Sequence, residues 1–284
     1  MRPARPGDAA PLAAFLARHP ETSMFLRQAL ATHGVAGGAD RFAARFWLAE
    51  GAQGPRGCVA LTTSGLGMIQ WPGLSAADLP GIAAALARER IAGMNGAAGQ
   101  IALLRRALGL SQAAASLDRT EPLYRLALDA LVLPEGPGRL RPPDEGDRAL
   151  VERWRSAYAI EALGAAPGRA TEIEERAQVA GLIAQDRLRL WQEEGEPVAM
   201  TSFNARLPDI VQVGGVWTPP GGRGRGRARR AVAAHLAEAR GQGAGTAILF
   251  AASPAAARAY EAIGFRQVGS YHLLMLAAPA RVTP

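Results

Sequence analysis

Lysine is absent from this chain, so all 32 Lys+Arg positions are arginine. Asparagine occurs only at Asn95 and Asn204, whereas glycine (33) and proline (20) abound. This is the pattern of a GC-rich coding bias. It accounts for the formal net charge of +7 without a polyanionic partner, because the arginines are spread along the whole chain. No nucleic-acid partner is expected. Cys58 is the single cysteine, which excludes an intrachain disulfide and a cysteine-based zinc site. The four histidines (His19, His33, His235, His272) have no metal-ligand spacing, so no metal is expected. No apolar run is long enough to span a membrane. Asp8, Pro11 and Arg18 interrupt the short apolar patch that follows Arg2 and Arg5, so no secretory signal is read there and the cytoplasm is the expected location. A chain of 284 residues, 49% hydrophobic and 20% charged, is globular, with material for one large domain or two ordinary ones.

The best boundary is Pro134 to Pro143 (PEGPGRLRPP), rich in proline and glycine around a short strand-like piece. Before it, the pattern predicts a helical start over Ala9–Leu30, strands at Phe42–Ala49, Gly57–Thr63 and Leu66–Trp71, and a helix over Ala76–Arg90. A glycine-containing turn at Gly93–Gly99, a helix at Ile101–Leu108 and a strand at Tyr124–Leu133 complete this half. After the boundary come helices at Asp144–Leu163 and Glu172–Gln185. Strands at Arg187–Glu193, Pro197–Asn204 and Ile210–Trp217 have short polar turns between them and so form an antiparallel meander. A helix (Gly226–Arg240), a strand (Thr246–Ala251), a short helix (Pro254–Ile263) and a final strand pair (Gln267–Leu276) follow. The fold class expected is α/β or α+β: a mixed, mostly antiparallel central sheet flanked by helices, in two tandem halves.

The stretch that carries chemistry is GGVWTPPGGRGRG, Gly214 to Gly226, running into Arg227, Ala228, Arg229 and Arg230 and then into helix-spaced Val232, Leu236 and Ala239. A strand, a Thr-Pro-Pro turn, an Arg/Gly loop and a helix in that order can hold a diphosphate. Glycines let the backbone approach an anion, and the amides and dipole at the helix start favour negative charge.

The second half resembles the GNAT superfamily of acyl-CoA-dependent N-acyltransferases over about residues 138–276. GVWTPPGGRGRGRA fits the family's pyrophosphate pattern of Arg/Gln, two residues, Gly, one residue, Gly/Ala at Arg223, Gly226 and Ala228. SPAAARAYEAIGF, Ser253 to Phe265, is similar to its late helix. The Thr-Pro-Pro lead-in is similar to a subgroup with a second, degenerate GNAT-like half. Residues 1–133 are accordingly expected to be a degenerate GNAT-like domain and 138–284 the N-acetyltransferase domain. The turn GMNGAAGQIALLRRALGL in the first half resembles a worn copy of the same half-fold.

The resemblance implies acetyl-CoA as cofactor, released as CoA, and an amine acceptor in a small molecule or peptide. The backbone of Val216, Trp217 and Thr218 is expected along the pantetheine arm. The diphosphate is expected on Arg223, Gly224, Arg225, Gly226, Arg227, Ala228 and Arg229, and Ser253 is expected near the cofactor, where many relatives carry Asn. Tyr260 is the expected general acid for the departing thiolate, or else a core aromatic. A neutral amine attacks the thioester directly, so the site must align the reactants, accept a proton and stabilise a thiolate. Glu161, Glu193, Glu194 or a water chain are the candidates for the proton acceptor. Trp154, Trp191 and Trp217 read as packing residues. The competing reading is a catalytically silent acyl-CoA-binding or regulatory module. Neither the acceptor nor the oligomeric state is legible in one sequence.

Overall fold

The computed structural model describes residues 1–282, and the chain divides into two compact units. The first comprises Met1–Glu121 and the segment from Gly269 onward, and the second comprises Pro122–Val268. In chain order the first half contributes β1 (Arg2–Pro3), α1 (Ala9–Ala17), α2 (Pro20–His33), β2 (Ala44–Gly51), β3 (Gly54–Thr62) and β4 (Leu66–Gln70). It continues with α3 (Leu79–Ala85), β5 (Arg90–Ala97), α4 (Ala98–Ala107) and β6 (Ala115–Ala127). Beyond it lie β7 (Arg139–Arg141), α5 (Arg148–Leu163), α6 (Arg169–Ala184), β8 (Leu188–Glu193), β9 (Glu196–Arg206) and β10 (Ile210–Trp217). The chain ends with α7 (Arg227–Gly241), β11 (Thr246–Phe250), α8 (Pro254–Glu261) and β12 (Arg266–Arg281).

The two units repeat one topology. In the first, the strand order is β1-β2-β3-β4-β5-β12, with β4 and β5 pairing in parallel and the others antiparallel among the described residues. In the second it is β7-β8-β9-β10-β11-β6, with β10 and β11 the only parallel neighbours. Each sheet is therefore mixed and mostly antiparallel. The sixth strand of each is supplied from the other half of the sequence: β6 precedes the Pro-rich boundary yet pairs with β11 of the second unit, and β12 ends the chain yet pairs with β5 of the first. A cut at 134–143 therefore does not coincide with the division into compact units, and the last element is one long strand, not a strand pair.

Each sheet is covered on both faces. In the second unit, α5 and α6 bury Val151, Trp154, Val179 and Leu182 against Leu188, Leu190, Met200 and Trp217. On the opposite face α7 buries Val232 and Leu236 against Phe203, Val211, Val213 and Leu249.

Several local departures from the sequence pattern have identifiable causes. The helical stretch Ala9–Leu30 breaks at His19, because the residue before a proline is driven out of the helical region and Pro20 then starts a new helix. The helix expected over Ala76–Arg90 shrinks to α3, after which Arg88 takes φ +70° and β5 begins. Gly93–Gly99 is mostly strand, not turn. Its glycines reflect crowding: a methyl on Gly93 would overlap the Leu274 carbonyl oxygen, and one on Gly96 would press on Ile101. The strand expected at Tyr124–Leu133 starts earlier, at Ala115, and ends at Ala127 in a 3-10 turn.

Candidate active site

β10 and β11 pair in parallel from Ile210↔Thr246 to Val213↔Leu249, and there the pairing stops while β10 runs on to Trp217. No residue of β11 pairs with Gly214–Trp217, so the two strands splay at this point. The other edge of β10 is irregular at the same level. Its register with β9 shifts on both sides of the Val213↔Phe203 and Gly214↔Ser202 pairs, leaving Asn204 extra on β9 and one extra residue near Gly215 on β10. Gly215 takes φ +59°, a left-handed conformation that favours glycine. A methyl on Gly215 would overlap Arg155 Nη1 and Ser202 Oγ, and one on Gly214 would overlap the carboxamide of Asn204. Arg155, Ser202 and Asn204 were not singled out by motif. The signal available was the Gly-Gly pair inside a strand, which marks a bulge or a close approach.

Beyond Trp217 the chain turns through Pro219–Gly222, with Gly222 N–H donating to Pro219 O (2.8 Å) and Arg223 N–H to Pro220 O (3.3 Å). Gly224 (φ +77°) and Gly226 (φ +71°) are left-handed, and Gly226 is the N-cap of α7. No side chain caps this helix and no acidic residue lies in its first turn, so the opening amides remain available and the positive end of the helix dipole is not offset locally. Space beside Gly224 is open.

The carboxylates near this loop are committed to arginines. Arg223 lies over the Trp217 ring (4.7 Å to the centroid), donates from Nε to Thr218 O (3.0 Å) and pairs through Nη1 with Glu161 (2.8 Å). Glu161 is about half exposed and holds this arginine, so the structure brings together one residue proposed for acid–base work and one proposed for the diphosphate. Glu193 receives Arg227 Nε (2.8 Å) and Arg230 Nη2 (2.9 Å), and Trp191 Nε1 donates to it at 3.3 Å. Burial pushes the Glu193 carboxyl up, but the bonds from Arg227 and Arg230 outweigh it and hold the group below the usual carboxylate range. That pairing gives Glu193 a structural task at the first turn of α7. Glu194 sits in the tight β8–β9 turn with φ +50°. Among the described residues, Arg225 and Arg229 have no ion-pair partner.

Val216 is half-buried, and Trp217 and Thr218 are buried, with the Thr218 hydroxyl unpartnered. Trp154, Trp191 and Trp217 are all buried in packed clusters. Tyr260 is half-buried in α8, edge-on to Phe265 at 6.1 Å, against the core formed by α7 and β11. Ser253 caps α8, accepting from Ala256 N–H at 3.2 Å.

The first unit shows what the same place looks like without the Arg/Gly loop. β4 and β5 pair from Leu66↔Gly93 to Met68↔Asn95 and then diverge, just as β10 and β11 do. The segment that follows β4, Trp71–Asp78, is therefore the topological counterpart of Thr218–Gly226. GMNGAAGQIALLRRALGL is β5 with α4, the counterpart of β11 with α8 in the second unit. In this unit Gln100 Oε1 accepts the Trp71 N–H (2.8 Å), and Ile69, Trp71, Met94, Ile101 and Leu104 pack together. Asp78 accepts from Ser75 N–H (3.0 Å) and Oγ (2.9 Å) and pairs with Arg56 (2.7 Å), which holds its carboxyl below the usual range.

Comparison with known proteins agrees with this geometry. Residues 150–265 match the model of the Acetyltransferase (GNAT) family. No curated protein matches. Among solved structures, the fold is similar to that of a GCN5-related N-acetyltransferase from Kribbella flavida, with TM-score 0.59 and 18% identity over 94% of this chain and 95% of that one. A Drosophila protein gives TM-score 0.64 and 14% identity over 97% and 98%. A tandem GNAT protein from the clavulanic acid biosynthesis pathway gives TM-score 0.57 and 13% identity over 100% and 98%. No helix is long and apolar enough to cross a membrane among the described residues. Residues 150–265 thus match the GNAT acetyltransferase family, and the fold of the whole chain is similar to that of a tandem GNAT protein.

Proposed function

We propose that the second unit is an N-acetyltransferase that moves an acetyl group from acetyl-CoA to an amine by direct attack. The observation that carries this reading is the pairing limit at Val213↔Leu249: it leaves Gly214–Trp217 unpaired by β11 beside an uncapped, glycine-bounded helix start. In this reading the pantetheine arm adds to Val216, Trp217 and Thr218 as an extra strand. The diphosphate lies on the amides of Gly224 to Arg229, with Arg225 and Arg229 supplying charge that no carboxylate among the described residues pairs with. These residues suit coenzyme A because the only charges in the loop are positive and the backbone at Gly224 is open. Acetyl-CoA brings the activated acyl group; the chain positions it and keeps the amine in line.

Tyr260 is the proposed acid for the thiolate. Because Glu161 and Glu193 are both engaged by arginines, the amine's proton leaves through water in this scheme, and Glu161 steadies Arg223 over Trp217. Ser253, spent on its helix cap, contributes to the cofactor only through the placement of α8.

Release of free CoA thiol with an amine panel tests the reading. Tyr260→Phe is expected to lower kcat by about 10²-fold with acetyl-CoA affinity little changed, since a general acid acts in the transition state. Gly226→Val is expected to do the reverse, because a branched residue is strained at φ +71° and blocks the approach of the diphosphate. Tight acetyl-CoA binding without turnover of any amine would instead favour the silent-module reading, which the capping role of Ser253 leaves standing.

A further inference from the structure

The acyl-transfer reading fixes a cofactor and leaves the acceptor open; we propose, resting on that reading, that the acceptor amine carries a carboxylate, recognised by Arg155 with help from Asn204. The cofactor's diphosphate belongs to α7, on one face of the second sheet. An acceptor then meets the splay from the other face, that of α5 and α6. There the backbone of Gly214 and Gly215 is bare of side chains, and three polar groups lie against it. Arg155 Nη1 and Ser202 Oγ flank Gly215, and the carboxamide of Asn204 covers Gly214. Ser202 is held in place by donating to Gly214 O at 2.8 Å. The strip is exposed at its Asn204 end and buried at its Arg155 end.

Arg155 is the informative member. It is only 6% exposed, and Glu175 takes its Nε (2.9 Å) and Nη2 (2.9 Å). A carboxylate engaged on that edge cannot reach the other, so Nη1 remains buried with no hydrogen-bond partner. A guanidinium nitrogen in that state costs stability unless something accepts from it in the working complex. Its geometry matches a carboxylate oxygen better than a neutral carbonyl, because Arg binds anions through parallel N–H donors. Asn204 offers both an acceptor and donors, so it can orient an amine that sits next to that carboxylate. Tyr158, under the guanidinium at 5.1 Å, steadies its plane.

The transfer balances without a further reactant. The amine nitrogen forms the new bond to the acetyl carbonyl carbon, the carbon–sulfur bond breaks with its electron pair leaving on sulfur, and the amine's proton returns to the thiolate. The carboxylate is bound and unchanged.

The test compares matched acceptors with the full chain and acetyl-CoA: L-amino acids, their α-amides, and the corresponding amines lacking the carboxyl group. The wild-type protein is expected to use at least one amino acid ~10- to 100-fold better in kcat/KM than its amide or amine. Arg155→Met alone removes the cation held against the buried Glu175 carboxylate and destabilises the fold, so Arg155→Met/Glu175→Gln removes both charges together. This double variant is expected to keep acetyl-CoA affinity while losing the preference for carboxylates. The exposed Asn204→Ala is expected to raise KM for the same acceptors with a folded protein assured. Equal use of acids and amides by the wild type, or a preference that survives in the double variant, overturns the carboxylate assignment and leaves acyl transfer intact. Failure of acetyl-CoA to bind, or binding with no acceptor turned over, overturns both.

Discussion

Gly215→Ala is the substitution that most sharply tests the bulge on which the site is built. Two costs apply at that position. A residue with a Cβ held at φ +59° pays roughly 1–2 kcal/mol for the left-handed conformation. Its methyl also meets Arg155 Nη1, pinned by a buried ion pair, and Ser202 Oγ, pinned by its bond to Gly214 O, so neither can give way freely. Overpacking of that kind costs roughly 1–3 kcal/mol. Loss of chain entropy in the unfolded state returns about 0.4–1 kcal/mol, so the net destabilisation should be roughly 1–5 kcal/mol, centred near 3. Gly224→Ala is the matched control. Its φ is +77°, but nothing lies within 4 Å of the added methyl, so only the conformational cost remains and the loss should stay below about 2 kcal/mol. Urea denaturation of the two variants, followed by fluorescence of the buried Trp154 and Trp217, gives the comparison directly. Adding Ser202→Ala to Gly215→Ala relieves one of the two overlaps, so the pair should cost less than the sum of the single changes. Equal destabilisation by Gly215→Ala and Gly224→Ala would refute the wedge of Arg155 and Ser202 against the strand.

Cys58 is fully buried, and burial pushes its thiol up to about 12, so the native protein should not react with a thiol reagent at pH 8 and the reagent should count only released CoA; rapid labelling without denaturant would contradict this packing. Bonds from Arg141 hold the Asp147 carboxyl below its ordinary value, so its contribution is present above the unfolded value near 3.9 and is lost as pH falls through the folded one. Arg141→Met should therefore flatten stability below about pH 4, an outcome read from acid unfolding curves, and an unchanged acid limb would exclude the pair as a contributor. Fragments 1–133 and 138–284 made separately should each fail to fold, because each lacks the strand that completes its own sheet, whereas refolding them together should restore the native circular dichroism; a cooperatively folding single fragment would show the exchanged strand to be dispensable.

Much of the second unit was legible because its signals are local. Ile210–Trp217 reads as a strand with the bounds it takes, and Val232, Leu236 and Ala239 reappear as the buried stripe of α7. The meander of β8, β9 and β10 follows from short polar turns. What escaped is non-local. Nothing in the alternation of Ala115–Ala127 says that it pairs with Thr246–Phe250 and not with its own half, since register depends on a partner more than a hundred residues away. The glycines of β5 read as a turn because crowding by Leu274 and Met275 is invisible until β12 is placed. Likewise, Glu161 and Glu193 carry the right chemistry for a base, but their arginines, Arg223, Arg227 and Arg230, reach them only through the fold. Arg155 and Asn204 belong to no motif, so only the bulge at Gly214–Gly215 exposes them.

The two units also explain one another. Both sheets diverge after the parallel pair, so the cleft comes with the topology and cannot by itself assign a cofactor. What differs is who satisfies the backbone around it. In the first unit Gln100 takes the Trp71 amide and Asp78 returns to Ser75 at the start of the helical segment, placing a fixed negative charge where a diphosphate would have to lie. Arg56 engages that carboxylate (2.7 Å), and no arginine between Trp71 and Ala87 adds a further cation for an anion to meet. A phosphate approaching that carboxylate is repelled, and the amide it needs is already bonded. In the second unit the corresponding amides are uncapped, the glycines keep the backbone open, and among the described residues Arg225 and Arg229 have no ion-pair partner. The expected stoichiometry is one acetyl-CoA per chain by titration calorimetry, abolished by Gly226→Val and unaffected by Gln100→Ala. A second equivalent of comparable affinity that survives Gly226→Val would mean that self-capping at Asp78 does not exclude an anion, and the inference from helix-start chemistry would fail with it.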